Sequence, residues 1–328
     1  MIRSFCTYFD HRYLSRGLAM FRSLKNHCPS ARLWVLCLST ECHRALTVQA
    51  LPDLIPVALE DFERGDDRLL EAKANRSAIE YYFTCTPSLP LYLFKQNPGL
   101  DTITYIDADL YFFGSPEPIF DEIGSSPIAI TPHRFPQQHK WMEQNGVFNV
   151  GWLTFRRNGR GLSCLEWWRD RCLEWCRDYI DGDRFADQKY LDRFPKLFPG
   201  CHIIEHKGAN LAAWNLGNYR LSERGGQLLV DEAPVIFYHF HGLKKVAPGV
   251  IDPSFAYYGL RLSSLMKARL FRPYFQSVAE AQSLVRAPGI ESLKRKSGGG
   301  SRRPAAAQFI AAYAGLLTRR CLLSTLAL

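Results

Sequence analysis

The sequence predicts an α/β fold built on a mostly parallel sheet flanked by helices. Short β-branched and aromatic runs alternate with longer segments of helical period. The alternation begins with a strand at 2–9, a helix at 14–24, a strand at 32–38 and a helix from residue 41. This order is typical of a sheet whose helical connections cover its faces.

The same rhythm continues through the first 250 residues, which we assign to one domain. The pattern predicts a helix at 77–94 and strands at 102–106, 128–131, 150–155 and 235–238. Sites in such folds lie where strands end, so polar residues at those positions are the first candidates for function.

Composition and charge limit the classes of function. A chain of 328 residues with 47% hydrophobic and 13% aromatic content can bury a large core. The net charge is +9, but residues 261–328 hold twelve Lys or Arg against Glu280 and Glu291, so residues 1–260 sum to about −1. The basic residues therefore lie in a tail, and we expect no nucleic-acid partner. The N-terminal residues lack the pattern of a signal peptide, and the ten scattered cysteines fit reduced thiols, so we expect a cytoplasmic protein.

Three segments follow the predicted domain. Residues 251–293 form a helical extension, with an amphipathic helix expected at 257–274. Residues 294–304 are a flexible basic linker, and residues 305–328 are an apolar helix, either at a membrane interface or packed against protein. The linker charge predicts peripheral attachment to an anionic membrane surface, on the inner face of the plasma membrane.

Two carboxylates close the apolar strand at 102–106. Asp107 and Asp109 are one residue apart, so in an extended segment their side chains point to the same face. Carboxylates this close repel each other unless a cation lies between them. The alternative is a pair of solvated turn residues, but the apolar residues on both sides favour a buried position.

A second polar cluster follows the strand at 235–238. His239 can ligate a metal, Gly242 allows close approach of a phosphate, and a lysine follows at Lys244 or Lys245. Together with the two carboxylates, this imidazole provides a mixed oxygen and nitrogen ligand set that suits Mn²⁺ or Mg²⁺. A purely structural histidine is the alternative.

Two shorter motifs complete the pattern. Asn149 and Gly151 lie at the start of the strand at 150–155, and Asp187 and Gln188 open a predicted helix. Each motif also has an ordinary structural interpretation, with Asn149 as a turn residue and Asp187 as a helix cap.

In combination these motifs resemble the retaining glycosyltransferases of family 8, which have the Rossmann-like GT-A fold. The resemblance covers roughly residues 1–245 and includes the D-x-D of Asp107 and Asp109, the F-N-x-G at 148–151 and the D-Q at 187–188. The run 239–245 fits the family's H-x-x-G-x-x-K, and Trp214-Asn215 fits an aromatic-Asn pair. Unlike many members, this chain has Arg12 instead of Asn and lacks Pro-Trp after the final lysine.

The resemblance implies a role for each matching residue. It implies that Asp107, Asp109 and His239 bind the metal, and that Asn149, Asp187 and Gln188 lie at the donor sugar and the reacting carbon. Gly242 and Lys245 would contact the diphosphate. The remaining donor contacts implied by the resemblance are Tyr8, Asp10 and Tyr13 at the nucleotide base, with Lys73 and Arg76 in a more loosely matching donor-binding region.

The sequence thus predicts a metal-dependent, retaining hexosyltransferase that uses a UDP-sugar. Its acceptor would be a saccharide, a lipid-linked glycan or a lipopolysaccharide. Two alternatives stay open: a sugar-phosphate nucleotidyltransferase, for which the N-terminal turn at 14–17 is a poor phosphate loop, and a non-catalytic sugar- or metal-binding protein at a membrane.

Overall fold

The computed structural model of the chain describes residues 2–247, 250–285 and 323–324. The predicted basic linker at 294–304 lies outside the described residues, as does the predicted apolar helix at 305–328 apart from two residues. Those two residues, Leu323–Ser324, form a strand rather than a helix. Among the helices that the structure describes, none is long and apolar enough to cross a membrane.

In the described part of the chain, the strands and helices follow one another as the alternating pattern predicts. The strands are β1 (Arg3–Phe9), β2 (Ala31–Cys37), β3 (Leu54–Ala58), β4 (Thr102–Ile106), β5 (Leu110–Phe112), β6 (Ile128–Pro132), β7 (Phe148–Arg156), β8 (Cys201–Ile203), β9 (Leu221–Arg224), β10 (Gln227–Val230), β11 (Ala233–Pro234), β12 (Phe237–His239), β13 (Lys244–Ala247), β14 (Val250–Asp252) and β15 (Leu323–Ser324). The α-helices are α1 (Leu14–His27), α2 (Thr40–Gln49), α3 (Leu59–Glu63), α4 (Asp67–Ala74), α5 (Ala78–Gln96), α6 (Glu117–Ile123), α7 (Gly159–Glu174), α8 (Phe194–Leu197) and α9 (Arg272–Val285). Short 3₁₀ helices cover Gln137–Asn145, Lys189–Arg193 and Leu216–Asn218, and a π-helix covers Met266–Phe271.

The main sheet has seven strands in the order β3-β2-β1-β4-β7-β6-β8. β1 pairs in parallel with β2 and β4, and β2 pairs in parallel with β3. β7 runs antiparallel to β4 and to β6, while β6 and β8 are parallel. The predicted mostly parallel sheet with flanking helices is therefore confirmed.

Two hydrophobic cores cover the two faces of this sheet. On one face α1 buries Leu14, Leu18, Phe21 and Leu24, whose spacing places them along one side of a helix. On the other face α5 and α7 bury a second apolar set that includes Leu89, Leu93, Leu165 and Trp168. Because the sheet is buried on both faces, polar side chains become accessible only at its edges and strand ends.

A two-stranded antiparallel pair lies beyond the end of β4. Its strands are β5 and β12, and their register places His239 opposite Leu110. The predicted strand at 235–238 is thus observed two residues later, at Phe237–His239. This pairing joins two segments that lie about 130 residues apart in sequence. Hydrogen bonds to β5 therefore fix the end of β12 next to the end of β4.

The amphipathic helix expected at 257–274 begins later than the pattern predicts. Residues 257–263 are irregular, and helical structure starts at Ser264 and passes through the π-helix into α9. Gly259, with a φ of +67°, interrupts the helical period. Tyr258, Leu260 and Leu262 pack from a non-helical backbone against a third hydrophobic core, so the helical spacing of apolar residues was misleading here. This third core includes Leu211, Val230, Phe240, Phe271 and Tyr274.

This third core joins the C-terminal extension to the main domain. Tyr274 of α9 stacks face to face on Phe240, with ring centroids 3.8 Å apart and planes 4° from parallel. Both rings are buried, and Phe271 packs edge-on against Phe240. The residue that follows β12, Phe240, is therefore packed against Tyr274 of α9 and against the π-helix that precedes it.

Candidate functional site

The predicted carboxylates and imidazole meet where β4 and β12 end and β5 begins. Nε2 of His239 lies 3.0 Å from Oδ1 of Asp109 and 3.6 Å from Oδ2 of Asp107. The two aspartates occupy a turn rather than extended backbone, since the Leu110 amide donates to the Asp107 carbonyl at 3.3 Å. The expected extended backbone at these two residues is therefore wrong. Both carboxylates nevertheless face His239.

His241 joins this cluster although the sequence analysis did not select it. One ligand atom each of Asp109, His239 and His241 can be chosen so that all three lie within 4.8 Å of one another. Phe240 between the two histidines is fully buried, which turns both imidazoles to the opposite side. The alternation His-Phe-His was the signal that could have identified this residue.

Asn149 orients His239 through a hydrogen bond. Oδ1 of Asn149 accepts from the Gly151 amide at 2.9 Å and lies 3.2 Å from Nδ1 of His239, which must therefore donate. The other ring nitrogen, Nε2, is left to face the carboxylates. Asn149 lies within β7, so the alternative of a turn residue is not what the structure shows.

Asn149 also links the cluster to Gln188. Its Nδ2 lies 3.3 Å from Oε1 of Gln188 and 3.4 Å from Nε2 of His133. Burial lowers the pKa of His133 to about 3, so this imidazole is neutral and accepts the amide hydrogen. One amide therefore sets the positions of a predicted metal ligand and of a predicted sugar contact.

Gly151 makes this arrangement possible. A Cβ at this position would lie 2.5 Å from Oδ1 of Asn149 and 2.9 Å from Nδ1 of His239. Both distances are shorter than real contacts of a Cβ atom, so any other residue would displace the amide or the imidazole. The glycine of the F-N-x-G motif is required for this close approach.

Tyr13 and Arg16 support Asp109 from the opposite side. The Tyr13 hydroxyl donates to Oδ2 of Asp109 at 3.2 Å and accepts from Nη1 of Arg16 at 2.8 Å. Asp10 begins the same turn, and its carboxylate accepts from the backbone amides of Arg12 and Tyr13 and from Nε of Arg12 at 2.7 Å. The predicted base contacts Asp10 and Tyr13 thus also fix the start of α1 and one metal-site carboxylate.

Asp187 is the most buried carboxylate near the cluster, with only 4% of its surface exposed. It does not cap a helix: the 3₁₀ turn begins at Lys189, and no side-chain cap bond is formed. The preceding residue, Ala186, has a φ of 45°, a strained value for a residue with a Cβ, and such strain tends to occur at functional positions.

The electrostatics of the site favour a bound cation. Burial raises the pKa of Asp107 to about 6, although attraction to His239 opposes the shift more strongly than repulsion from Asp109 adds to it. Burial and the nearby Asp107 raise the pKa of Asp187 to about 7. Although burial opposes both charges, mutual attraction lowers the pKa of Asp109 and raises that of His239. Two carboxylates, those of Asp107 and Asp109, thus share one imidazolium, and carboxylate and imidazole ligands fit a divalent metal.

Two cavities open on either side of this cluster. The first, of about 410 Å³, is named here the Tyr13 cavity, and the second, of about 360 Å³, the Gln188 cavity. The Tyr13 cavity is lined by Tyr8, Asp10, Tyr13, Tyr82 and Asp109, and the Gln188 cavity by His133, Asn149, Asp187, Gln188 and Trp214. The residues that line both are Tyr8, Phe83, Asp107, His239 and His241. The candidate metal ligands therefore lie at the junction of two binding spaces.

A larger cavity of about 730 Å³ lies at the opposite edge of the sheet, between the first residues of β1, β2 and β4. It contains none of the predicted site residues. We therefore assign the candidate site to the two smaller cavities, where the titratable residues converge.

Lys73 and Arg76 line neither the Tyr13 cavity nor the Gln188 cavity, so the prediction that they contact the donor is not supported. Nζ of Lys73 bonds both carboxylate oxygens of the buried Glu63, at 2.7 and 2.8 Å. Arg76 donates to Oγ1 of Thr84 and, at 2.7 Å, to the Leu173 carbonyl. Both cations are engaged in stabilising the fold around α4 and α5.

The last predicted contacts follow His241. Gly242 adopts a φ of 72° and lines a third cavity of about 280 Å³, together with Lys244. The side chain of Lys245 lies outside the described residues. Asn215 of the aromatic-Asn pair is structural, since its Nδ2 donates to the carbonyls of His133 and Asn210, whereas Trp214 lines the cavities.

The architecture is that of the GT-A glycosyltransferases. The solved structure of the galactosyltransferase LgtC, in complex with donor and acceptor sugar analogs, superimposes with a TM-score of 0.53 at 16% identity. The match covers 84% of this chain and 95% of that chain, so it extends over nearly all of the other fold. The predicted GT-A fold is therefore confirmed.

Sequence similarity places the chain more narrowly. No family model matches it. YfnF of Bacillus subtilis strain 168, an uncharacterized protein, is 32% identical over 257 residues, covering 75% of this chain and 84% of YfnF. YfnD of the same strain, also uncharacterized, is 31% identical over 245 residues, covering 74% of this chain and 78% of YfnD. The chain belongs to the family of YfnF and YfnD.

Proposed function

We propose that this chain is a metal-dependent glycosyltransferase similar to those of family 8. It would transfer a hexose from a UDP-sugar, with retention of configuration, to a saccharide or lipid-linked glycan. The observation that carries the proposal is the convergence of Asp107, Asp109 and His239 at the junction of the Tyr13 and Gln188 cavities.

Asp107, Asp109 and His239 would hold the cation, with His241 as a further ligand. The excess of buried carboxylate over imidazolium charge supports this assignment. Because two imidazoles contribute, the ligand set favours Mn²⁺ over Mg²⁺, which prefers oxygen ligands. When bound, the ion supplies Lewis-acid stabilisation of the charge that develops on the leaving diphosphate.

The Tyr13 cavity would take the nucleoside of the donor. Tyr8, Tyr13 and Tyr82 provide aromatic walls next to the metal ligands, and Asp10 provides carboxylate oxygens for base or ribose hydrogen bonds. The diphosphate would then lie at the cluster, with the Gly242 backbone and the Lys245 ammonium adding positive potential.

The Gln188 cavity would take the donor sugar. The amides of Asn149 and Gln188 are fixed relative to His239 by the hydrogen bonds described above, so they can orient sugar hydroxyls relative to the diphosphate. Asp187 adds a buried carboxyl that can accept or donate near neutral pH, since its pKa is about 7. With retention, the acceptor would attack from the face that the diphosphate leaves, and Gln188 would lie nearest the anomeric carbon.

A thermal-shift experiment with nucleotides tests this proposal directly. The full chain is heated with UDP, GDP, CDP or ADP, each with and without Mn²⁺, since a ligand that binds the folded state raises its melting temperature. We expect a Mn²⁺-dependent rise with UDP alone. Absence of a rise with all four nucleotides in folded protein would refute the proposal, and pyrophosphate release from a nucleoside triphosphate with a sugar phosphate would instead indicate a nucleotidyltransferase.

A further inference from the structure

The third cavity, named here the Tyr257 cavity, opens from the Gln188 cavity. The two share Trp214, His241 and Tyr258 as lining residues. A group bound in the Tyr257 cavity would therefore lie beside a sugar in the Gln188 cavity. Three of its lining residues also line the Gln188 cavity, whereas one, His241, also lines the Tyr13 cavity, so the position suits a second substrate better than the nucleoside.

The walls of the Tyr257 cavity combine aromatic rings with hydrogen-bonding groups. Tyr257 is 59% exposed, and its ring packs edge-on against Tyr258 at 5.0 Å. Exposed rings of this kind offer an apolar surface for the C–H face of a pyranose, while the polar groups around them bind hydroxyls. Trp214 is buried at the shared wall, and its Nε1 has no hydrogen-bond partner among the described residues.

Two opposite charges line this cavity on neighbouring strands. Lys244 and Asp252 are directly opposed in the antiparallel pair of β13 and β14, so their side chains project to the same face. Within the part of the chain that the structure describes, they are not paired with each other, and no other ion pair engages them. An ammonium donor and a carboxylate acceptor that remain apart suit a neutral polyol, whose neighbouring hydroxyls can bond to each.

The backbone around Asp252 is held in a strained form. Ser254 has a φ of 62°, and its hydroxyl donates to the Gly242 carbonyl at 2.8 Å. Its amide donates to Oδ1 of Asp252, also at 2.8 Å, which fixes that carboxylate at the cavity wall. A strained non-glycine residue that positions a polar side chain is typical of a binding site.

We propose that the Tyr257 cavity binds the acceptor, and that the acceptor ends in a neutral sugar. This inference rests on the proposed glycosyltransferase function. The acceptor hydroxyl oxygen forms the new bond to the anomeric carbon, the bond from that carbon to the diphosphate oxygen breaks, and the hydroxyl proton passes to the departing diphosphate. Lys244 is thereby assigned to the acceptor, and the phosphate contact is left to Lys245.

Saturation-transfer NMR with simple glycosides tests the cavity. Methyl β-galactoside, methyl β-glucoside and methyl β-glucuronide are the probes, added to the full chain with UDP and Mg²⁺. We expect signals from at least one neutral glycoside and a weaker one from the glucuronide. Tyr257→Ala should weaken binding about tenfold, as expected for loss of an aromatic contact at the centre of a site.

Matched variants separate this cavity from a general surface effect. Tyr179 is 56% exposed and lines none of the three cavities, so Tyr179→Ala should leave glycoside binding unchanged. Lys244→Met should weaken glycoside binding while the thermal shift with UDP is retained. Equal glycoside signals in wild type and Tyr257→Ala, or preference for the glucuronide, would overturn the acceptor assignment.

The UDP response distinguishes the two proposals. If the wild-type chain shows no metal-dependent shift with any nucleotide, the glycosyltransferase function itself fails. If UDP binds but no neutral glycoside gives a signal that depends on Tyr257, only the acceptor assignment fails. Loss of the UDP shift in Lys244→Met would assign this lysine to the phosphates and so contradict the inference.

Discussion

Two regions of the molecule bury carboxylates. In one region a protein cation neutralises the buried charge, and in the other the negative charge exceeds the positive charge. At the corner of α3, α4 and α5, Glu63 is paired through both oxygens with Lys73 and also accepts from the Tyr81 hydroxyl at 2.6 Å. At the ends of β4 and β12, the carboxylates of Asp107 and Asp109 share the single imidazolium of His239, and the carboxyl of Asp187 is buried nearby. The first arrangement is electrostatically complete and stabilises the fold. The second is incomplete without a cation, which is the mark of a binding site.

The largest effect expected from this comparison is the loss of turnover in Asp109→Ala. Removing a carboxylate that lies 3.0 Å from Nε2 of His239 removes a proposed metal ligand, and we expect a fall of about 1,000-fold or more in kcat/KM. Asp101→Ala, at an exposed carboxylate outside the Tyr13 and Gln188 cavities, serves as the control. Retained turnover in folded Asp109→Ala would contradict the metal role.

Lys73→Met tests the electrostatically complete region. Loss of the ammonium leaves the charge of Glu63 buried with only the Tyr81 hydroxyl as partner, and we expect the free energy of unfolding to fall by about 3 kcal/mol. The exposed pair of Arg68 and Asp170 provides the control, because Arg68→Met should cost about 0.5 kcal/mol. Nucleotide affinity at a temperature where the variant is folded should be unchanged. A weaker Kd for UDP would place Lys73 at the donor after all.

Asp187→Asn should remove a dependence of stability on pH. The raised pKa of about 7 means that the metal-free folded state holds this proton up to near neutral pH, whereas the unfolded chain loses it near pH 4. Stability should therefore fall as pH rises from 5 to 7, by about 2 kcal/mol from this group. Denaturant unfolding at pH 5 and pH 7 measures the slope. Asp187→Asn should flatten it, the exposed Asp121→Asn should not, and an unchanged slope in Asp187→Asn would refute the assignment.

Gly151→Ala should have the smallest effect of the four. The added methyl group would lie 2.5 Å from Oδ1 of Asn149 and 2.9 Å from Nδ1 of His239 and would displace one of them, and we expect Mn²⁺ affinity to fall about tenfold. Gly159→Ala is the matched control, because a Cβ there meets nothing within 4 Å. Equal Mn²⁺ affinity of the two variants, measured by titration calorimetry, would show that the close approach of Asn149 and His239 does not matter.

The sequence predicted the elements that depend on local pattern. Strand ends followed by Asp107, Asp109 and His239 were recognisable because period-two apolar runs and motif spacing are local properties, and the GT-A fold followed from their combination. The segment 257–263 shows where the local pattern failed. Its apolar spacing resembles that of a helix, but the positive φ of Gly259 and packing against the third core keep the backbone non-helical. His241 was recognisable in principle from its alternation with Phe240.

The fate of Lys73 and Arg76 could not be read from the sequence. Both lie in a stretch that loosely resembles a donor-binding region, and nothing local indicates which anion a lysine will find. Their actual partners, the Glu63 carboxylate and the Leu173 carbonyl, come from α3 and from the distant α7. Only the tertiary structure shows that Lys73 is paired with a buried carboxylate and that Arg76 is hydrogen-bonded to a carbonyl of α7.

The stacking of Tyr274 on Phe240 has a consequence for biosynthesis. A growing polypeptide emerges from the ribosome with its N-terminal part first, and residues 1–240 can collapse before Tyr274 is made. Until that ring arrives, the segment from His239 to His241 lacks its support from α9. We therefore expect a nascent chain to complete the proposed metal site late, after the sheet has formed, so that a product truncated before Tyr274 would lack the metal affinity proposed for the full chain.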